Sequence, residues 1–72
     1  MTTQEWILSQ VPGPGDKADY RTLYETSPFE HRARLYPELR KLVASGQVSN
    51  RMERAGPGEP LVNVVTRLGG ND

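Results

Sequence analysis

The apolar residues of this chain change period once, at Gly46, and that change orders the chain as helix first and sheet second. Before Gly46 they fall at 29, 33, 35, 36, 39, 42 and 43, mostly the three- and four-residue steps of one helical face. Ser45-Gly46 then supplies a left-handed cap. After it, Gln47 to Arg54 alternates, with Val48, Asn50 and Met52 on one side and Gln47, Ser49, Arg51 and Glu53 on the other. Leu61 to Leu68 alternates again, with Val62, Val64 and Leu68 in phase, and the stretch from Ala55 to Pro60 has turn chemistry. The expectation is a β-hairpin with an irregular tip.

Pro37 interrupts the helical stripe. An interior proline removes a ladder bond and costs about 3 kcal/mol, so either one helix kinks there or two helices meet near Arg34 to Tyr36. Two short helices joined by a tight turn are themselves a DNA-reading unit. The helical stretch starts at Ser27-Pro28-Phe29-Glu30, which places an N-cap serine, a first-turn proline and a glutamate at capping-box spacing.

Upstream, Thr2 and Glu5 have the same box spacing, predicting a first helix from Thr3 to Gln10 with Trp6 and Ile7 facing inward. Val11-Pro12-Gly13-Pro14-Gly15 stops it, and residues 12–16 read as a Pro/Gly loop. Asp16 or Asp19 then caps a second helix running to about Glu25, with Tyr20, Leu23 and Tyr24 on one apolar side. The whole is an α+β chain of three helical segments followed by a hairpin, read as a single domain over 1–72 with residues 69–72 as a frayed tail.

That order of elements resembles the winged helix-turn-helix domain. The stretch from Leu35 to Val48 also resembles the recognition-helix end and first wing strand of PadR-type repressors, through Leu35-Tyr36-Pro37, Leu39, Leu42, Gly46 and Val48. What the resemblance implies is a small winged helix whose last helix enters the DNA major groove and whose hairpin is the wing, with Pro37 in the first turn of that helix.

Leu, Ile, Val and Phe make up fifteen of the 72 residues, a thin core for a chain without cysteine and with one histidine to staple it. Close packing, a second copy or a partner is expected to supply the rest. No metal or cofactor is expected. The N-terminus lacks a basic region and a long apolar run, and Leu61 to Val65 is too short to span a bilayer, so a cytoplasmic protein with no membrane partner is expected.

Nine Lys and Arg balance nine Asp and Glu, but unevenly along the chain. Residues 1–30 carry −3, residues 31–54 carry +4 and residues 55–72 carry −1. The basic third is the one with the expected recognition helix and wing. Lys and Arg there suit phosphates by releasing condensed counterions, and Arg also reads guanine edges.

The candidate DNA-binding residues are therefore His31, Arg32 and Arg34 at the groove-entering end, with His31 as a surface donor, Arg40 and Lys41 on the exposed helix side, and Arg51 and Arg54 on the wing. A neutral total and a pI of 6.6 argue against strong non-specific binding. His31 has no second histidine or cysteine to build a nucleophile or metal set, and the glycines match no phosphate-cradling pattern, so no enzyme activity is expected. Trp6, Tyr20, Tyr24, Phe29 and Tyr36 read as core residues in preference to base-stacking platforms. Two functions follow as expectations: a winged-helix protein binding double-stranded DNA, as a homodimer or an accessory factor in transcription regulation, or a protein-interaction module acting on an enzyme or polymerase subunit.

Overall fold

Thr2 starts the first helix as its spacing to Glu5 predicts: the Thr2 hydroxyl accepts from the Glu5 amide at 3.1 Å, and the Glu5 carboxylate accepts from the Thr2 amide at 2.7 Å. In the computed structural model, which describes residues 1–69, this helix, α1, spans Thr3–Gln10 and buries Trp6 and Ile7. The Pro/Gly loop that ends it is tied by Asp16, whose carboxylate accepts from the Gly13 amide at 2.8 Å.

A short strand not expected from the sequence follows, β1 at Lys17–Asp19. Three residues are too few to show a period, and β1 exists because β3 offers it an edge, pairing Lys17 with Thr66, Ala18 with Val65 and Asp19 with Val64. Asp19 then caps α2, Tyr20–Thr26, accepting from the Arg21 amide at 2.9 Å.

The alternative of two helices meeting before Pro37 is the one the structure takes. α3 is Phe29–Arg32 and α4 is Leu35–Ala44, with Arg34 as the N-cap and Pro37 in the first turn of α4, where no intrahelical N–H is needed. Ser27 does not cap α3 as its position suggested. Its hydroxyl instead donates to the Tyr24 carbonyl at 2.7 Å and closes α2, leaving α3 with Pro28 as an N-cap that makes no side-chain bond. At the far end of α4, Gly46 has φ +80° and donates to Val43 while Gln47 donates to Leu42, the paired bonds of a Schellman cap.

β2, Val48–Arg54, and β3, Leu61–Arg67, form the expected antiparallel hairpin, and β1 completes a three-stranded sheet of order β1-β3-β2. The inward phase of β3 differs from the grouping of Val62, Val64 and Leu68: Val65 is the fully buried residue, Val62 and Val64 are half-buried, and Leu68 is exposed. The cause is register. Asn50 lies opposite Val65, so Val65 shares the inward face of Val48 and Asn50.

The core joins Trp6 and Ile7 of α1, Leu23 of α2, Leu35, Leu39 and Leu42 of α4, and Val48 and Val65 of the sheet. Helices followed by an antiparallel hairpin in a three-stranded sheet are compatible with winged-helix topology. Part of the expected tail, residues 70–72, lies outside the described residues. No helix among the described residues is long and apolar enough to cross a membrane.

Candidate nucleic-acid interface

Burying Leu35, Leu39 and Leu42 fixes the rotation of α4, and with 100° per residue it turns Pro37, Arg40, Lys41 and Ala44 to the opposite, outward side. Arg34 stands exposed at the start of the same helix. The hairpin carries Arg51 and Arg54, both exposed, on β2. Five of the seven candidate residues are thus on the surface of α4, its N-cap and the hairpin.

The other two are engaged inside the fold. His31 is 9% exposed, so its expected role as a surface donor is corrected. Its Nδ1 lies 2.8 Å from the Thr3 hydroxyl, and its ring stacks on Trp6 with centroids 6.4 Å apart. It fastens α3 to α1. Arg32 is half-buried, donates to the Ser27 carbonyl at 3.0 Å and places its guanidinium 5.5 Å from the Tyr24 ring centre, which fastens α3 to the end of α2.

The acids of α4 and β2 are matched by lysines and not by arginines. Glu38 accepts from Gln4 at 2.8 Å and from Lys41 at 3.2 Å, and these bonds hold its carboxyl below the usual carboxylate range. Glu53 accepts from Lys17 at 3.0 Å. Elsewhere Arg21 lies 3.8 Å from Glu25, and the Arg67 guanidinium donates to the Val11 carbonyl. Among the described residues, Arg34, Arg40, Arg51 and Arg54 are the cationic side chains with no hydrogen-bond or ion-pair partner, and all four lie on α4 or β2.

Sequence reasoning misplaced three aromatics. Tyr24, Phe29 and Tyr36 are exposed, Phe29 by 89%, instead of joining the core. The stripe that runs through 29 and 36 is shared by two helices, and the break at Ala33-Arg34 resets its phase, so a single-helix wheel assigns both residues to the wrong side. Tyr36 stands one turn from Arg40 and meets Tyr20 edge to face, with centroids 6.2 Å apart. Partial burial, with Tyr24 and Tyr36 beside it, pushes the Tyr20 phenol above its ordinary range. Tyr36 and Arg40 together give the outward side of α4 an aromatic hydroxyl and a free guanidinium at i, i+4 spacing.

A shallow surface depression is lined by Thr2, Thr3, Gln4, Glu30, Arg34 and Glu38 among others. Its carboxylates and single free arginine form no metal cluster, and none of three or more His, Asp or Glu is present among the described residues. Comparison of the chain with protein-family models, with curated proteins and with solved structures finds no match.

Proposed function

We propose that the chain is a small double-stranded DNA-binding protein of winged-helix type, a transcription regulator or accessory DNA-binding factor that acts by binding and not by catalysis. The outward side of α4 enters the major groove, and the hairpin follows the neighbouring backbone. The observation that carries this reading is the segregation of the four unpartnered arginines, Arg34, Arg40, Arg51 and Arg54, onto those two elements. The positions behind the PadR-like resemblance support it as well: Leu35, Leu39, Leu42 and Val48 are buried, and Gly46 is left-handed.

The test is a fluorescence-anisotropy titration of a labelled mixed-sequence duplex at low salt. Binding in the micromolar range is expected. Combined replacement of the four arginines by alanine abolishes it, whereas Glu5→Ala leaves affinity unchanged and only weakens α1. No binding by the wild type, or equal binding by the four-arginine variant, overturns the reading.

A second reading, a protein-interaction module acting on an enzyme or polymerase subunit, draws on the exposure of Tyr24 and Phe29, which lie on α2 and α3. It predicts that Tyr24→Ala with Phe29→Ala removes the function in cells while leaving duplex affinity intact.

A further inference from the structure

Among the described residues the sheet order β1-β3-β2 leaves one long edge uncovered, that of β2. The direction of the backbone groups along it follows from β3. Arg67 turns both its groups toward the β1 side, its amide donating to the Asp16 carbonyl and its carbonyl accepting from Gly15, each at 2.8 Å, whereas the Leu68 amide turns the other way and donates to Gln47 at 3.0 Å. The even-numbered residues of β3 therefore bond β2, making Ser49–Thr66, Arg51–Val64 and Glu53–Val62 the hydrogen-bonded pairs. The N–H and C=O groups of Val48, Asn50, Met52 and Arg54 point out of the sheet at its free edge.

We propose that this edge pairs with the same edge of a second copy, antiparallel and centred on Met52, to make a two-fold dimer through a continuous sheet. Charge selects the register. An antiparallel pairing centred on Arg51 sets Arg51 against Arg51, and one centred on Glu53 sets Glu53 against Glu53, both unfavourable. Centring on Asn50 sets Arg51 against Ser49 and gains no ion pair. Centring on Met52 sets Arg51 against the partner's Glu53, and Glu53 against the partner's Arg51, at the non-hydrogen-bonded positions where side chains stand closest.

The same register stacks Met52, which is 58% exposed, on its own copy across the axis. Lys17 occupies only Oε1 of Glu53, which leaves Oε2 for the partner's arginine. The charges that protect an edge strand from indiscriminate pairing thus admit one arrangement. The ladder runs over Asn50 to Arg54, a contact well under the roughly 1,000 Å² of a strong interface, so the dimer is weak and forms as concentration rises.

This inference does not rest on DNA binding, and its test contains no DNA. Sedimentation equilibrium of the full chain from about 20 µM to about 1 mM should show the wild type moving from the 8.1 kDa monomer toward twice that mass. Arg51→Glu and Glu53→Arg each place like charges opposite one another twice and weaken self-association by about tenfold or more. Mixed in equal amounts, the two variants regain association, because every cross-strand pair is again of opposite sign, which separates a lost contact from a lost fold. A wild type that stays monomeric throughout, single variants that associate as the wild type does, or a mixture that does not recover, overturns the proposal.

Discussion

On the proposed DNA-binding function, the number of free arginines predicts how steeply affinity weakens with salt. Each phosphate contact contributes a slope of about −0.9 in log K against log salt, so the four cations Arg34, Arg40, Arg51 and Arg54 give about −3.6 per chain. A fourfold rise, from about 50 to about 200 mM, then lowers affinity roughly 150-fold. Replacing Arg40 alone by alanine brings the slope to about −2.7, and each further replacement removes about 0.9 more. Arg32 is the control. Its guanidinium is spent on the Ser27 carbonyl and the Tyr24 ring, so Arg32→Ala lowers the melting temperature while leaving the slope where it was. Anisotropy titrations of one duplex at several salt concentrations measure every slope. A slope that ignores how many of the four arginines remain, or that drops by a full contact for Arg32→Ala, refutes the assignment of free and engaged cations.

Three further predictions concern the frame that holds this surface. His31→Ala removes the bond to Thr3 and the stack on Trp6, and stranding the buried Thr3 hydroxyl costs about 1–3 kcal/mol by urea denaturation, with duplex affinity of the folded protein unchanged. Gly46→Ala meets no atom within 4 Å of the new methyl group, so its cost is the left-handed backbone alone, about 1–2 kcal/mol, and shows as a lowered melting temperature. Glu5 and Glu38 both have carboxyls held below their ordinary value of 4.5 by hydrogen bonds. Stability from a depressed carboxyl is present above the unfolded value and is lost as pH falls through the folded one. Melting temperature should therefore drop as pH falls below 4.5, and Glu5→Gln with Glu38→Gln should flatten that drop.

Local chemistry was legible in the sequence at most points where one residue type decided the outcome, the Ser27 cap being the exception. Thr2 with Glu5 and Gly46 after α4 act through local bonds or a single backbone angle and stand where their spacing places them, and of the two caps offered for α2, Asp16 and Asp19, it is Asp19 that caps. Legibility failed where a neighbour in space decided. β1 depends on β3, more than forty residues away, and the inward phase of β3 depends on which residue faces Asn50. His31 sits among arginines in sequence and against Thr3 and Trp6 in space. For the candidate interface, the charge split by segment pointed to the part of the chain that carries the four unpartnered arginines, but free and engaged cations were separated only by the fold.

The neutral total is a matter of composition, whereas the exposed unpartnered arginines are a matter of arrangement. Among the described residues six of the eight acids make local bonds, Glu30 and Glu59 being the exceptions: Glu5 and Asp19 at helix starts, Asp16 across a loop, Glu25 beside Arg21, and Glu38 and Glu53 against lysines. Lysine serves as a compact point charge in those last two pairs. Arginine, whose planar fork suits phosphates and base edges, stays unpaired on α4 and β2. A pI of 6.6 counts the titratable groups of the whole chain and says little about the field at the α4 and hairpin surface. The same economy bears on the free edge of β2. On the two proposals taken together, Arg51 would serve both a phosphate and the Glu53 of a second copy, so pairing through the hairpins is expected to compete with phosphate contact at Arg51 while leaving Arg34 and Arg40 available to the groove.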